Sequence, residues 1–280
     1  MTHSPAEVVE LLERFDLRPQ RSKGQNFVAD PNTVRRIARL AGVGDGDQVL
    51  EIGPGVGSLT LALLETGAQV SAVEVDKAML PIIEEVAPAA RVVLADAMCA
   101  DWEEILEGRS HVLVANLPYN IATPLIADLL DDVPLIERML VMVQLEVGER
   151  LAAAPGSKAY GIPSIKVAYW ATASVVGKVP PSVFIPRPRV DSALVEIVRR
   201  PDGPATEADR EVLFRLVRTA FGQRRKMIRK SLGSLLGAAN FEEAGVRPES
   251  RPEDLSVEQW GWLANSLSSA SGSTLSDGGD

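Results

Sequence analysis

The segment Asn116-Leu117-Pro118-Tyr119-Asn120 cuts short an apolar run at 111–115 and turns it into a polar, proline-stiffened bend. Such a break is costly to a strand unless the residues are used. Two oxygen acceptors, the Asn116 side chain and the Leu117 carbonyl, can hold the hydrogens of an aromatic exocyclic amine. That amine is a poor nucleophile because its lone pair is delocalised into the ring. Holding both hydrogens favours a pyramidal nitrogen whose lone pair faces an electrophile. Tyr119 can stack on a purine, and Pro118 stiffens the turn. No general base is needed, since the proton becomes acidic once the new bond forms. Catalysis here would be alignment for in-line displacement. The plainer alternative is a polar turn after a strand.

A second group of residues suits a nucleoside cofactor. Glu51-Ile52-Gly53-Pro54-Gly55-Val56-Gly57-Ser58 reads as a strand entering a glycine turn and then a helix. Glycine lets a ligand meet the backbone and lets the chain visit positive φ. A dinucleotide fingerprint has the pattern G-x-G-x-x-G. Here the third glycine comes one residue early, and an acidic residue precedes the first. Both features suit a cofactor without phosphate, such as S-adenosyl-L-methionine. Glu74 ends the next strand about twenty residues on and can accept from ribose hydroxyls. Asp96 follows the third strand and can accept from the cofactor's adenine amine. Read more plainly, Glu74, Asp76 and Asp96 cap the helices that follow.

Between Val183 and Ser192, prolines at alternate positions make a stiff loop with little entropy to lose on binding. Phe184 at its entry can cover the second face of a base, or plug the core. Extruding a base costs a few kcal/mol. Aromatic stacking returns roughly 1–3 kcal/mol per base, so a Tyr119–Phe184 sandwich is of the right size.

These residues need strands to carry them. Short apolar runs at 48–52, 69–73, 91–94, 111–115 and 139–143 alternate with helical stretches, the sign of parallel βαβ units. Two further runs, 173–178 and 193–198, flank the proline-rich loop and predict an antiparallel hairpin at the edge. The expected fold is α/β: a Rossmann-like methyltransferase domain over 1–200, with a mostly parallel seven-stranded sheet. Before it, helices are predicted over 7–17 and 31–40. A small all-helical domain is predicted over 206–265, and 266–280 reads as a disordered tail.

Composition narrows the classes further. The chain has 280 residues, 46% hydrophobic and 24% charged, which is ordinary for a globular protein. One cysteine, Cys99, excludes an internal disulfide, and with two histidines no compact zinc site can be written, so no metal is expected. No signal peptide or membrane span is predicted, which leads us to expect a cytoplasmic monomer. The net charge of −9 argues against a nucleic-acid partner, but clustering matters more than the sum. Between Val212 and Phe241 lie Arg215, Arg218, Arg224, Arg225, Lys226, Arg229 and Lys230, with no acidic residue. This local reversal of sign predicts a basic helix that binds RNA phosphates; the alternative is a solvated helix face.

Taken together, Gln25-Asn26-Phe27, Glu51-Ile52-Gly53-Pro54-Gly55, Glu74-Val75-Asp76, Asp96-Ala97, Asn116-Leu117-Pro118-Tyr119-Asn120 and Phe184-Ile185-Pro186-Arg187-Pro188 resemble, in order and spacing, the ribosomal RNA adenine dimethyltransferases. The resemblance runs from about Arg21 to Leu236. It implies cofactor contacts at Asn26, Val28, Gly53, Gly55, Glu74, Asp96 and Asn116, although position 28 is usually Leu in that family. It implies catalytic roles for Asn116, Leu117, Pro118, Tyr119 and Phe184, and RNA contacts at Arg224, Arg225, Lys226, Arg229 and Lys230. Arg21 and Lys23 would extend that surface or close over the cofactor. The Asn116–Asn120 motif and Phe221-Gly222-Gln223-Arg224-Arg225-Lys226 resemble the housekeeping branch. That branch dimethylates two adjacent adenines in the 3′-terminal hairpin of 16S ribosomal RNA, within the small subunit or its precursor. The alternatives are a 23S ribosomal RNA methyltransferase of the antibiotic-resistance type, a DNA adenine methyltransferase, a non-catalytic assembly factor and a nicotinamide oxidoreductase.

Overall fold

The computed structural model describes residues 2–20 and 24–272, with side chains described to Leu267. In chain order the elements begin with α1 (Pro5–Arg14), β1 (Phe27–Val28), α2 (Pro31–Ala41), β2 (Gln48–Ile52), α3 (Ser58–Leu64) and β3 (Gln69–Glu74). Next come α4 (Leu80–Val86), β4 (Arg91–Leu94), α5 (Trp102–Leu106), β5 (His111–Asn116), α6 (Ala122–Asp132), β6 (Ile136–Gln144) and α7 (Leu145–Leu151). The remainder are α8 (Ile162–Trp170), β7 (Ala171–Val179), β8 (Phe184–Ile185), β9 (Ser192–Arg199), α9 (Arg210–Phe221), α10 (Ile228–Ser231), α11 (Ala238–Glu243) and α12 (Val257–Gly272).

The chain divides into two compact units, Met1–Glu149 with Thr172–Arg199, and Arg150–Ala171 with Arg200–Asp280. In the first, seven strands run in the order β4-β3-β2-β5-β6-β9-β7. Strands β2 to β6 are parallel, and β9 lies antiparallel to β6. The strand order reverses between β2 and β5, which opens a crevice at their carboxyl ends, where open α/β sheets bind ligands. All seven predicted strands are present. A second sheet was not foreseen: β1 and β8 pair antiparallel, with Phe27 opposite Ile185 and Val28 opposite Phe184. It ties the loop before β1 to the proline-rich loop after β8.

Local chemistry sets the element ends. Asp30 caps α2 by accepting from Thr33 N, Pro31 occupies the first turn, and Gly42 ends the helix at φ 59°. Helix α1 starts earlier than the apolar spacing suggests, because Ser4 and Glu7 form a capping box around Pro5. Val34, Ile37, Leu59, Leu63, Val114, Leu140 and Leu194 build one core of this unit. Val8, Leu12, Val56, Ile82 and Ile83 build another.

In the second unit, Tyr160, Ile165 and Tyr169 from 150–171 pack with Phe214, Val217, Phe241, Trp260 and Leu263. The boundary expected at residue 200 therefore misses a segment: 150–171 has its apolar partners among these helices. The tail expected from residue 266 also differs. Helix α12 continues to Gly272, Ser266 is buried, and its carbonyl accepts from Asn240 Nδ2 at 2.9 Å. Residues 273–280 lie outside the described residues, as do Arg21 and Lys23. Among the described residues no helix is long and apolar enough to cross a membrane.

Candidate active site

The crevice at the ends of β2, β3, β4 and β5 holds a cavity lined by Gly53, Gly55, Glu74, Asp96, Asn116 and Asn26, among others. Gly53 and Gly55 have φ of 73° and 56°, in the region that favours glycine. At Gly55 there is also no room for a side chain, because a Cβ would stand 2.7 Å from the Phe27 ring. Glu74 is 6% exposed. Its oxygens accept from Asp76 N at 2.8 Å and Gly55 N at 3.3 Å, so the carboxylate also fixes the glycine turn. Burial pushes its pKa up, and these two hydrogen bonds oppose the shift. Asp76 caps the turn that follows and accepts from Gln25 Nε2 at 3.0 Å. Asp96 accepts from Met98 N at 2.9 Å, a turn cap that keeps one oxygen for a ligand.

Behind this wall sits Glu51, 1% exposed, which accepts from the Thr60 hydroxyl at 2.6 Å. Burial, chiefly, and the charge of Glu74 push its carboxyl up to about 8. The shift favours its neutral form, and the residue lies away from the cavity lining.

The only charged residues lining the cavity are Glu74 and Asp96; among the described residues no cation joins them. Among the described residues, a pyrophosphate would meet two carboxylates here and no compensating positive group. A cationic, phosphate-free nucleoside cofactor fits, with its hydroxyls and amine donating to the acidic wall.

The Asn116 motif is held at both ends. Leu117 N donates to the Met142 carbonyl at 3.1 Å, and the Pro118 carbonyl accepts from Ile121 N and Ala122 N at the start of α6. Asn116 Nδ2 donates to the Asn26 carbonyl at 2.9 Å. A carbonyl can only accept, so this contact fixes the amide orientation and leaves the Asn116 oxygen for another donor. Gly24, at φ 68°, lies against the motif: a Cβ there would come 3.0 Å from Pro118 Cβ.

A second cavity, of about 520 Å³, shares Gly24 and Asn26 with the first and is lined by Tyr119, Asn120, Gln144 and the loop Pro186–Val190. Its size falls within the range of small-ligand sites. The Tyr119 hydroxyl shares a hydrogen bond of 2.9 Å with Ser192 Oγ, and burial raises the pKa of Tyr119, so the ring is held neutral at the cavity wall.

Asn26, Gly53, Gly55, Glu74, Asp96, Asn116 and Pro118 thus surround one cavity, and Tyr119 the next. Leu117 is buried beneath them at 1% exposure. Val28 and Phe184 line neither cavity. They face each other in the β1–β8 pair, and both side chains are buried in the core. The second stacking face expected of Phe184 is therefore absent from this conformation, because pairing with Val28 turns the ring inward. The site list drawn from sequence lacked Gly24, Gln25, Phe27, Gln144 and Ser192. Gln25 and Phe27 flank Asn26 in the sequence; Gln144 and Ser192 face each other only through the β6–β9 register.

In the second unit, the predicted basic helix is a helix, a turn and a second short helix. Arg224, Arg225 and Lys226 occupy the turn between α9 and α10, where 222–227 lacks apolar periodicity. Arg224 is committed inside the unit. It donates to the Lys158 and Tyr160 carbonyls at 3.0 and 3.1 Å and pairs with Glu253 at 3.3 Å. Arg229 pairs with Glu249 at 3.1 Å, and Lys226 Nζ donates to Gln223. Arg225 and Lys230 are exposed, and their side chains make no hydrogen bond or ion pair among the described residues.

Known proteins agree with this geometry. The sequence matches the family described as Ribosomal RNA adenine dimethylase over residues 17–269. A protein of Cutibacterium acnes named Ribosomal RNA small subunit methyltransferase A is 45% identical over 293 residues, with 99% of this chain and 97% of that protein covered. One of the same name from Thermobifida fusca is 47% identical over 274 residues, covering 93% of this chain and 94% of its own. Among solved structures, a dimethyladenosine transferase from Plasmodium falciparum superposes with a TM-score of 0.74 at 25% identity, covering 86% of this chain and 97% of that one. The 23S rRNA methyltransferase ErmE superposes at 0.66 with 29% identity, covering 87% and 100%. With a family match across most of its length and these relatives on the same fold, the chain belongs to the ribosomal RNA adenine dimethylase family.

Proposed function

We propose that this chain uses S-adenosyl-L-methionine to dimethylate the N6 amines of two adjacent adenines in the 3′-terminal hairpin of 16S ribosomal RNA, during small-subunit biogenesis in the cytoplasm. One observation carries the chemistry. Asn116 Nδ2 donates to the Asn26 carbonyl, so its oxygen is the acceptor left to grip the adenine amine. The Leu117 carbonyl supplies the second acceptor, and Tyr119 stacks on the purine. The cofactor supplies an electrophilic methyl group on a sulfonium sulfur. Glu74 and Asp96 hold its ribose and adenine, and the acidic wall suits its positive charge. Polarisation by the two acceptors and fixed alignment then lower the barrier without a dedicated base.

Names of relatives at 45–47% identity favour the small-subunit substrate over 23S ribosomal RNA. In the helical unit, Arg225, Lys226, Arg229 and Lys230 form the exposed basic surface for RNA phosphates, while Arg224 serves the fold. The test is incubation with labelled S-adenosyl-L-methionine and undermethylated small subunits, followed by mapping of the modified nucleotides. Two adjacent dimethyladenines in the 3′-terminal hairpin are expected. Label in 23S ribosomal RNA alone would overturn the substrate, and tight particle binding without transfer would favour an assembly factor.

A further inference from the structure

The cavity beside Tyr119 has a charge pattern of its own. Only Arg187 and Arg189 among its lining residues are charged, and no carboxylate faces them within it. Both are exposed, and neither makes a hydrogen bond or ion pair among the described residues. In a chain of net charge −9, two unpaired guanidinium groups on one rim are a local reversal of sign.

Their loop holds them in place. Pro186 and Pro188 fix φ, and Pro188 keeps Arg187 extended; Arg187 and Arg189 both line the cavity beside Tyr119. The loop is anchored at entry by the β1–β8 pair. At exit, Leu145 N donates to the Asp191 carbonyl at 3.0 Å, and Ser192 faces Gln144 in the sheet. Arg189 stands between this cavity and a second groove, which it lines together with Glu146, Glu149 and Asp191. An anionic chain is repelled from that groove and attracted to the Tyr119 side.

We propose that Arg187 and Arg189 form a phosphodiester-binding subsite that holds the RNA backbone on either side of the extruded adenosine. This rests on the reading that the cavity beside Tyr119 receives an adenine of RNA. A base seated there keeps its flanking phosphates at the cavity mouth, where the planar forks of two arginines can bind phosphate oxygens in pairs. The subsite adds affinity without sequence preference and keeps the extruded strand from slipping back. It also accounts for an arginine after each proline in a loop whose rigidity lowers the ordering cost of binding.

The test compares wild type, R187Q/R189Q and the charge-retaining R187K/R189K in methylation of undermethylated small subunits across a range of salt. In the glutamine variant kcat/KM is expected to fall roughly 10- to 100-fold at moderate salt. The slope of log(kcat/KM) against log[salt] should become shallower by about 1.4, from two single-strand phosphate contacts at ~0.7 each. The lysine variant keeps most of that slope. Cofactor affinity by calorimetry and Tm stay unchanged in both variants. A glutamine variant with wild-type slope and kcat/KM overturns the subsite alone. Absence of any transfer by wild type overturns the parent reading and the subsite together.

Discussion

Two adjoining cavities share Asn26 yet are built on opposite plans. The cofactor cavity is walled by the ends of β2, β3, β4 and β5, and its charges among the described residues are Glu74 and Asp96. The cleft beside it is walled by loops at 24–26, 119–120 and 186–190 and by the end of β6 at Gln144, and its charges among the described residues are Arg187 and Arg189. The first needs a fixed pose for a small cationic ligand, so its acceptors sit on strand ends whose positions the sheet determines. The second must admit a base attached to a polyanion, so it has an aromatic wall and a basic rim. Asn116 lines the first cavity, and on the proposed reading its oxygen is presented where the two ligands meet. An acidic protein can serve an anionic polymer because its charges are partitioned between neighbouring walls.

Removing the junction tests that plan most severely. Asn116→Ala should lower kcat by about 10²–10³-fold, the loss seen when a preorganised polar group at a reaction centre is deleted. Calorimetry should show cofactor affinity altered by less than about tenfold. A variant that kept kcat would show that the Asn116 oxygen does not hold the amine. Glu74→Gln should divide the cavities in the other direction. Glu74 accepts from two backbone N–H groups, and an amide would turn a donor toward one of them. Cofactor affinity should fall by roughly 10–100-fold, since bonds to a charged acceptor are the strong ones. Excess cofactor should restore most of the turnover. Unchanged affinity would remove Glu74 from the binding wall.

The same contrast explains what was legible in the sequence. Strand ends advertise themselves, because an apolar run broken by Gly53, Glu74, Asp96 or Asn116 is a local pattern. The parallel sheet and its antiparallel edge followed from the same runs. Residues that reach a site through tertiary pairing carry no such pattern. Gln144 and Ser192 meet only in the β6–β9 register. Two-residue strands such as β1 and β8 are too short for any periodicity, so the inward turn of Val28 and Phe184 could not be read from their types. The segment 150–171 reads as a continuation of the sheet domain until its apolar partners in the helical unit are known. Arg224 looks like its basic neighbours, and only the carbonyls of Lys158 and Tyr160 reveal its structural use.

A smaller effect is expected in the cleft wall. Tyr119→Phe and Ser192→Ala delete the same hydrogen bond, and each should reduce kcat/KM by about 2- to 10-fold, the usual worth of one neutral bond. Steady-state kinetics of the double variant should show no greater loss than either single variant, because the pair acts as one unit. Additive losses would mean that the two residues contribute separately, and that Ser192 does not act by orienting the ring.

The smallest effect on catalysis should come from Glu51, which lies behind the acidic wall and separates its chemistry from its stability. Its carboxyl is pushed from the ordinary value near 4.5 up to about 8, chiefly by burial. Between those values the unfolded chain gives up a proton that the folded chain keeps. Stability attributable to this group is complete below about 4.5, declines as pH rises through the window, and levels off above about 8. Glu51→Gln keeps an oxygen to accept from Thr60 and has no proton to lose. Denaturation midpoints should therefore depend less on pH in the variant than in wild type, with stability gained at neutral pH. Some dependence remains, because burial also raises the pKa of Glu74. Turnover at saturating cofactor should be unchanged, since the residue lines neither cavity. Equal pH dependence in the two proteins would show that Glu51 is ionised in the fold, and the acidic wall would then carry one more charge than its lining reveals.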